Sequence, residues 1–230
     1  MVGIARNIEL VRERISSAAE RSGRKAEDVT LVAVTKTRTA TEISAAISAG
    51  IGHVGENRVQ ETKDKRTQIK LAAQWHLIGH LQSNKVRNAV ELYDVIQTVD
   101  SFRLVSALHQ RALQANRIID VMVQVNSSGS PKQNGVSLKE VLPLAENVAD
   151  MSHLRFVGLM TIAELTENQV RLRTCFRDVR RMFDKLTAVS NGGNPSILSM
   201  GMSGDFEIAI EEGANMVRVG TAIFGHRPVI

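Results

Sequence analysis

Residues 31–36 read Leu-Val-Ala-Val-Thr-Lys, an apolar run that ends in a threonine and a lysine. The run does not alternate between apolar and polar side chains, which is typical of a strand that is covered on both faces in a parallel sheet. Seven further short runs follow along the chain, at residues 53–55, 76–78, 95–97, 121–125, 156–159, 197–200 and 216–219. Longer segments separate them, so the sequence predicts a repeating pattern of strand and helix.

The longer segments carry the period of an amphipathic helix. Two of them show apolar residues at steps of three and four: Ile4, Ile8, Val11, Ile15 and Ala18 in the first, and Leu172, Phe176, Val179, Phe183 and Leu186 in the second. Thr39 with Glu42, and Thr166 with Gln169, have the spacing of a capping box, which predicts that a helix begins at each threonine. Gly50 predicts the end of the helix that follows Thr39.

The number of strand–helix units decides the predicted architecture. Alternating strands and helices favour a parallel sheet, and eight units in a chain of 230 residues favour a closed barrel. We therefore predict an α/β fold in which residues 1–230 form a single (β/α)8 TIM barrel domain with an extra N-terminal helix. A doubly wound open sheet is the alternative.

Composition narrows the function classes. The net charge is +5 and aromatic residues make up only 3% of the chain. The basic residues are spread among acidic ones and few aromatic rings are present for bases to stack on, which favours a solvated basic surface over nucleic-acid binding. No apolar run is long enough to span a bilayer, and the N-terminus lacks the apolar core of a signal peptide. We expect a cytoplasmic monomer with no membrane partner.

The ends of the predicted strands carry candidate site residues. In a (β/α)8 barrel the active site lies at the carboxyl ends of the strands. Lys36 follows the first strand, Asn57 the second and His80 the third. A lysine that is stripped of water there becomes a nucleophile or forms a Schiff base, and a lysine that extends from the rim into solvent is the alternative. Asn57 is a hydrogen-bonding group or a helix cap, and His80 is an acid or base candidate.

The loops after the seventh and eighth strands match the place where such barrels bind phosphate. Small residues within residues 199–205 let the backbone approach a ligand, and Ser203 adds a hydroxyl group. Gly220 and Thr221 stand at the start of a predicted helix, where backbone N–H groups make an anion site. Arg218 lies at the end of the last strand, where a buried guanidinium needs a partner.

Motifs for several other chemistries are absent from the sequence. It contains no GxxxxGK(S/T) loop and no GxGxxG motif after a strand. It also contains no His, Asp and Glu cluster with the spacing of a metal site, and no GxSxG nucleophile elbow. A small anionic ligand suits the basic charge of the chain and the two loops described above.

These segments together resemble a known family. The stretches that carry the resemblance are residues 32–36, 55–61, 75–85, 158–162, 199–205 and 217–227, and they cover nearly the whole chain in order. They resemble the pyridoxal phosphate homeostasis protein family, which is similar to the N-terminal barrel domain of alanine racemase. Residues 55–61, Gly-Glu-Asn-Arg-Val-Gln-Glu, are specific in combination with the segments at 199–205 and 217–225.

The resemblance implies a cofactor and the residues that hold it. It implies that Lys36 carries pyridoxal 5'-phosphate (PLP) as a Schiff base. It also implies further cofactor-binding residues: Asn57 beside the cofactor, Met202 in the loop after the seventh strand, Ser203, Gly220 and Thr221 at the phosphate, and Arg218 at the pyridine nitrogen. A cationic Arg218 would keep that nitrogen unprotonated, so the ring would be a weaker electron sink than in enzymes with an aspartate partner.

The implied function is intracellular PLP homeostasis. The protein would store, buffer or deliver the cofactor, with PLP-dependent apoenzymes as recipients, and it would lack robust catalytic turnover. The alternative is an amino-acid racemase or a related PLP enzyme, which needs an acid or base on each face of its substrate. In related racemases one of these is a tyrosine from a second domain. Here Tyr93 precedes the fourth strand and is expected at the opposite end of the barrel, which leaves His80 as a substitute.

One segment departs from the family pattern. The family usually has a lysine two residues before the glycine that is Gly135 here. That position is Gln133 in this chain, and Lys132 lies one step away. The role of residues 132–135, including any second lysine, is therefore left open.

A nucleic-acid or protein-binding function is a third hypothesis that the charge permits and no motif supports.

Overall fold

Eight parallel strands close into a barrel. The computed structural model describes residues 2–131, 133–164, 166–189 and 195–225. Within these residues the strands are β1 Thr30–Val34, β2 His53–Glu56, β3 Gln74–Leu77, β4 Val95–Val99, β5 Ile119–Val125, β6 Leu154–Thr161, β7 Ile197–Ser199 and β8 Met216–Val219. They pair in chain order, and β8 also pairs with β1. The predicted (β/α)8 barrel is confirmed, and the alternative of an open sheet is wrong.

Helices cover the outside of the barrel. In the described residues they are α1 Val2–Arg21, α2 Ala40–Ser48, α3 Val59–Gln68, α4 Val86–Leu92, α5 Phe102–Gln114, α6 Val141–Ala149, α7 Gln169–Val189, α8 Phe206–Glu211 and α9 Thr221–Phe224. The helix α1 precedes β1, which confirms the extra N-terminal helix, and every other helix follows a strand. None of the helices in the described ranges has both the length and the apolar character needed to cross a membrane.

The helix starts show which capping predictions hold. At α2 the Thr39 hydroxyl accepts a hydrogen bond from the Glu42 N–H, and the Glu42 carboxylate accepts one from the Thr39 N–H, so the predicted capping box is confirmed. The capping box predicted at Thr166 is wrong. The helix α7 begins at Gln169, so Asn168 occupies the capping position, and its Oδ1 accepts a hydrogen bond from the Arg171 N–H at 3.1 Å.

The strands divide their side chains between two layers. Neighbouring residues on a strand point to opposite faces. Outward residues such as Ala33 and Val54 belong to the large apolar cluster shared with the helices, to which Phe176 of α7 also contributes. A second, smaller cluster fills part of the barrel interior and consists of Val32, Val95, Met122, Met160 and Met216. The rest of the interior contains polar side chains, which belong to the site described below.

The extra helix α1 braces the helices that follow β7 and β8. The Asn7 side-chain amide donates a hydrogen bond to the Ile223 carbonyl oxygen of α9 at 2.9 Å. Arg14 of α1 forms a bidentate ion pair with Glu207 of α8, with N–O distances of 3.1 and 2.9 Å. These partly exposed pairs stabilise the fold only modestly, but they join α1 to both helices. The helix α1 therefore stabilises the positions of α8 and α9, and with them the loops that precede these two helices.

Gly158 of β6 provides a test of the barrel packing. Its φ is +155°, and an added Cβ would lie 1.7 Å from the Ile197 carbonyl oxygen of β7. Gly158→Ala should force these two strands apart and lower the free energy of unfolding by about 3 kcal/mol, the upper range for overpacking. Urea unfolding followed by circular dichroism measures the change. Gly52→Ala is the control, because an added Cβ there meets no atom within 4 Å. Equal losses in the two variants would contradict the steric explanation.

Candidate functional site

The carboxyl ends of β1 and β8 lie side by side, which brings two parts of the predicted site together. The two strands pair in register with Val32 opposite Arg218. Lys36 follows β1, and Gly220 follows β8. Gly220 packs so closely on β1 that an added Cβ would lie 3.2 Å from the Val34 Cβ. The loop after β8 therefore lies against the strand end that carries Lys36.

The loops after β7 and β8 meet at Ser203. The Ser203 hydroxyl oxygen accepts hydrogen bonds from the backbone N–H groups of Gly220 at 3.2 Å and Ala222 at 3.4 Å. Both donors lie at the first turn of α9, where N–H groups have no partner within the helix. Thr221 lies between them in the chain and is exposed. Three residues that the sequence predicted for a phosphate group are therefore adjacent.

Met202 belongs to the same loop and is 37% exposed. Its backbone N–H donates a hydrogen bond to Asp205 Oδ1 at 2.5 Å. Burial raises the pKa of Asp205, while the hydrogen bond from Met202 and the charge of Arg218 oppose that rise. Asp205 thus holds the turn that presents Ser203, and Met202 contributes to this turn through its backbone.

Arg218 is buried in the barrel interior and contacts neutral partners. It is only 3% exposed. Its Nη1 donates to the Ser199 hydroxyl oxygen at 2.6 Å, and its Nη2 donates to the Thr161 carbonyl oxygen at 2.7 Å. Burial lowers the pKa of Arg218 to about 10, although the charge of Asp205 opposes the shift. The partner that the sequence required is therefore a pair of neutral oxygens, and the site still favours an additional acceptor from a ligand.

A buried network fixes the backbone on one side of Lys36. Thr35 is fully buried, and its hydroxyl donates to Glu56 Oε1 at 2.7 Å. The Lys65 Nζ of α3 donates to the same Glu56 oxygen at 2.7 Å and to the Thr35 carbonyl oxygen at 2.9 Å. The residue that precedes Lys36 is thus bound to both β2 and α3.

The other side of Lys36 is also bound to α3. Thr37 has a φ of +66°, and its N–H donates to Glu61 Oε2 at 3.3 Å. The same Glu61 oxygen lies 3.7 Å from Lys65 Nζ. Residues other than glycine adopt a positive φ only where surrounding contacts hold them there. Lys65 therefore connects the two flanks of Lys36.

Glu56 is the acidic centre of this network. It is fully buried, and burial raises its pKa while the hydrogen bonds from Lys65 and Thr35 oppose the rise. Its second oxygen, Oε2, has no hydrogen-bond partner among the described residues. Sequence reasoning missed the pair, because nothing in the sequence distinguishes Lys65 from Lys63, the exposed lysine of the same helix. The available signal was a glutamate at the end of a buried strand.

A cavity of about 320 Å³ opens beside Asn57, between the loops after β2 and β3. The Asn57 Oδ1 atom is buried and has no hydrogen-bond partner among the described residues. The Gly79 backbone presses on Asn57 so closely that an added Cβ would lie 2.2 Å from the Asn57 carbonyl oxygen. His80 also lines the cavity, and its Nδ1 lies 3.5 Å from Asp100 Oδ2. The structure therefore places both predicted residues at the mouth.

The segment that departs from the family pattern follows β5. Lys132 lies outside the described residues. The Gln133 Oε1 atom accepts a hydrogen bond from the Ser128 hydroxyl at 2.7 Å. Gly135 has a φ of +117°, and an added Cβ there would lie 2.8 Å from the Asn126 backbone nitrogen. The loop thus folds back on the end of its own strand, and Gln133 stabilises it from within.

Three polar side chains that the sequence did not single out line the barrel interior behind Arg218, namely Gln97, His76 and His53. The Gln97 Oε1 atom accepts a hydrogen bond from Ser199 at 2.8 Å, and Gln97 Nε2 lies 2.9 Å from His76 Nδ1. The His76 Nε2 atom lies 3.1 Å from His53 Nδ1. Burial, with a smaller effect of His53, lowers the pKa of His76 to about 3. A histidine and a glutamine in buried strands were the available signal, since buried polar groups need partners.

These groups define the chemistry of the mouth. Lys36 supplies an amine, Arg218 a buried guanidinium, and the start of α9 two backbone donors near the Ser203 hydroxyl. Across the described ranges, no three His, Cys, Asp or Glu side chains are grouped to hold a metal ion. The arrangement defines a (β/α)8 barrel that suits a small ligand with an anionic group, a hydrogen-bond acceptor and a carbonyl carbon for the amine.

Comparisons with known proteins agree with this class. A family model described as "Alanine racemase, N-terminal domain" matches residues 4–228. The chain is 40% identical to the pyridoxal phosphate homeostasis protein of Escherichia coli strain K12, over 99% of this chain and 98% of that protein. PipY of Synechococcus elongatus PCC7942, in a structure with PLP bound, is 32% identical with a TM-score of 0.84, over 96% of this chain and 100% of PipY. The chain therefore belongs to the pyridoxal phosphate homeostasis protein family.

The likeness to alanine racemase itself is more distant. The racemase of Clostridium difficile 630 is 16% identical to this chain with a TM-score of 0.78. The match covers 100% of this chain and 61% of the racemase chain. At this identity the likeness shows a shared fold alone, and the remaining part of the racemase has no counterpart in the match.

The Lys65–Glu56 pair yields a stability prediction. Lys65→Met should lower the free energy of unfolding by about 3–5 kcal/mol, because it leaves a buried carboxylate without its cation. The double variant Glu56→Gln, Lys65→Met should recover part of that loss, since it removes the buried charge as well. Urea unfolding of both variants measures the difference, with Lys63→Met, an exposed position on the same helix, as the control. A double variant that is less stable than Lys65→Met would contradict the pairing.

The buried His76 yields a pH prediction. The unfolded chain binds a proton on histidine near pH 6.5, whereas the folded protein does so only near pH 3. Acid therefore favours the unfolded state, and the contribution of His76 is lost as the pH falls below about 6.5, at up to about 1.4 kcal/mol per pH unit. Unfolding free energies measured between pH 5 and 7 should fall less steeply in His76→Gln than in the wild type. His153→Gln is a matched change outside the barrel interior, and an unchanged slope in His76→Gln would refute the prediction.

Proposed function

We propose that the chain binds PLP as a Schiff base on Lys36 and acts in intracellular PLP homeostasis, by storing, buffering or delivering the cofactor without robust turnover. The observation that carries this proposal is the packing of Gly220 on Val34, since it sets an anion site next to the strand end that bears Lys36. The family supports the ligand. PipY was solved with PLP bound, and the Escherichia coli relative is named for PLP homeostasis.

The loops after β7 and β8 fit the phosphate group. The N–H groups of Gly220 and Ala222 both point to the Ser203 hydroxyl oxygen, and such convergent donors bind anions. The Ser203 hydroxyl can rotate to donate to a phosphate oxygen, because a hydroxyl group is both donor and acceptor. A side chain at position 220 would press on Val34, so glycine keeps the backbone accessible. Thr221 adds an exposed hydroxyl at the same turn.

Arg218 fits the ring nitrogen of PLP. A guanidinium only donates hydrogen bonds, so it pairs with an unprotonated pyridine nitrogen. PLP supplies an electron sink when it is bound, and that sink is weaker when the ring nitrogen carries no proton. Arg218 keeps its charge at neutral pH, since burial lowers its pKa only to about 10. The arrangement therefore favours holding the cofactor over activating a substrate on it.

The network around Glu56 disfavours Lys65 as the lysine that reacts. Lys65 Nζ is bound to the Glu56 carboxylate and to the Thr35 carbonyl oxygen, and a paired ammonium is a poor nucleophile. Lys36 extends from backbone that the same network holds on both sides. Its amine would condense with the aldehyde carbon of PLP, and the aldehyde oxygen would leave as water.

Two observations favour a binding protein over an amino-acid racemase. Racemisation in two directions needs an acid or base on each face of the substrate. Tyr93 is fully buried and its hydroxyl lies 2.5 Å from the Thr62 hydroxyl, just before β4 and thus at the amino end of the strands. The substitute, His80, is paired with Asp100. Tyr93 therefore lies at the wrong end of the barrel to complement Lys36, and His80 is already engaged by Asp100.

The proposal extends to domain, location and partners. We place PLP binding in a single alanine racemase-like barrel domain over residues 1–230 of a cytoplasmic monomer, with PLP-dependent apoenzymes as recipients and no membrane or nucleic-acid partner. The closure of β8 on β1 supports the monomer, because it leaves no open strand edge in the described barrel for a second copy. The pairing of Arg173 and Arg177 with Glu212 supports a surface without a role in nucleic-acid binding.

An absorption spectrum with and without added PLP tests the proposal. The wild type should gain a visible band that borohydride removes while it fixes the cofactor covalently, and Lys36→Ala should show no such band, because no amine remains at the end of β1. Mass spectrometry of the reduced protein should find the added mass on the peptide that contains Lys36. Lys63→Ala serves as the control, since this exposed lysine lies outside the mouth.

Two results would decide against this function. A wild type that stays colourless in excess PLP would remove the cofactor from the proposal. Borohydride labelling at Lys65 instead of Lys36 would show that the ion pair with Glu56 does not protect that amine. Amino-acid racemase assays on the PLP-loaded protein then separate the binding protein from the enzyme, and turnover that depends on Lys36 would favour the racemase.

A further inference from the structure

A continuous line of polar side chains crosses the barrel interior. It starts at Arg218 near the mouth and passes through Ser199, Gln97 and His76 to His53. Five different strands contribute one residue each, in the order β8, β7, β4, β3 and β2. Ser199, Gln97 and His76 are fully buried. Polar side chains are costly in a barrel interior unless each has a partner, and here every consecutive pair lies within hydrogen-bond distance.

The guanidinium at one end and the orientation of the Gln97 amide together set the direction of every hydrogen bond in the line. Arg218 has no acceptor atom, so the Ser199 oxygen must accept from it, and the single Ser199 proton is directed to Gln97. Gln97 therefore accepts with Oε1 and donates with Nε2 to His76 Nδ1. His76 must then carry its proton on Nε2 and donate it to His53 Nδ1. With Gln97 Oε1 facing Ser199, one arrangement of protons satisfies all four contacts.

The line also holds His76 neutral. A second proton on His76 would have to lie on Nδ1, where it would face the Gln97 amide, which is itself a donor in this arrangement. The lowered pKa of His76 agrees with this. The charge of Asp205 acts on Arg218, but Asp205 Oδ1 accepts its hydrogen bond from the Met202 N–H. Arg218 therefore remains a cation whose bonds within the line are to neutral groups.

We propose that Ser199, Gln97 and His76 are positioning residues that hold the Arg218 guanidinium in one orientation, so that its other donors are directed to the ring nitrogen of PLP. This inference rests on the proposed function in its second half, where the ligand is PLP. Its first half, the fixed orientation of Arg218, concerns the protein alone. Because the side chains of this line are neutral, they hold the buried arginine in place without a carboxylate, which would draw the guanidinium donors away from the ligand.

The orientation is tested without cofactor by nitrogen-15 NMR of the arginine and histidine side chains. A guanidinium held by hydrogen bonds rotates slowly, so the two Nη atoms of Arg218 should give separate resonances, assigned by their absence in Arg218→Lys. In the wild type His76 should show a protonated Nε2 and an unprotonated Nδ1 at neutral pH. Ser199→Ala and Gln97→Met should merge the Nη resonances, and Gln97→Met should also change the proton position on His76.

Thr98→Val is the matched control. Thr98 is the next residue of β4, it is 1% exposed, and its hydroxyl donates to the Gly79 carbonyl oxygen at 3.0 Å. The variant therefore loses one buried hydrogen bond on the opposite face of the strand from Gln97. It should lose stability as Ser199→Ala does, but its Arg218 and His76 resonances should match the wild type.

The second half of the inference, that Arg218 is directed to the ring nitrogen of PLP, is tested by titrating the same variants with PLP. Ser199→Ala and Gln97→Met should raise the Kd for PLP about tenfold, which corresponds to about 1.4 kcal/mol, and should shift the visible band. Thr98→Val should do neither. These variants leave Lys36 intact, so a loss of affinity reports on the end of the cofactor that Arg218 contacts.

The outcomes separate the two halves. A wild-type His76 with its proton on Nδ1, or Nη resonances that are unchanged in Ser199→Ala, would overturn the positioning role. Equal effects in Thr98→Val would overturn it as well, since they would show a general loss of packing. If the Arg218 Nη resonances merge in Ser199→Ala and Gln97→Met but the PLP affinity and the visible band do not change, these residues do not position Arg218 for the cofactor. Failure of the wild type to bind PLP would instead refute the proposed function, and the NMR result would still decide the orientation of Arg218.

Discussion

The pairing of β8 with β1 is the constraint on which the site depends. It places Arg218 opposite Val32 and brings Gly220 against Val34, so residues from the two ends of the chain meet at one mouth. The helix α1 strengthens this closure, because its bonds to α8 and α9 hold the loops that follow β7 and β8. An open sheet with the same strands would leave Lys36 and the anion site at opposite edges.

Buried polar groups make this mouth rigid. In a low-dielectric interior an unpaired polar group costs more than a hydrogen bond contributes, so buried polar side chains favour partners from neighbouring strands and helices. Two networks meet this requirement on either side of the β1–β8 pair. Glu56 and Lys65 hold the backbone at Lys36, and Ser199 and Thr161 hold Arg218. Glu56 and Asn57 each have an oxygen without a hydrogen-bond partner among the described residues, and both lie at the same end of the barrel.

Local chemistry explains where sequence reasoning succeeded and where it failed. The strands were predictable because each is a short apolar run, and the helix at Thr39 because its capping box is complete within four residues. The predicted start of α7 at Thr166 is wrong, because Asn168 offers an equally good cap two residues later and the sequence does not rank the two. The candidate residues at the strand ends were found from strand position and family resemblance, without knowledge of their contacts.

The sequence by itself determined the eight strand–helix units, the order in which Lys36, Asn57, Ser203, Arg218 and Gly220 follow their strands, and the family to which they point. Those features are encoded in local patterns of apolar residues, caps and motifs. Only the tertiary structure decided that Lys65 pairs with Glu56 and that Arg218 connects through Ser199 and Gln97 to His76. These contacts join residues from different strands and helices, and their partners are set by strand register and barrel closure, which no local pattern records.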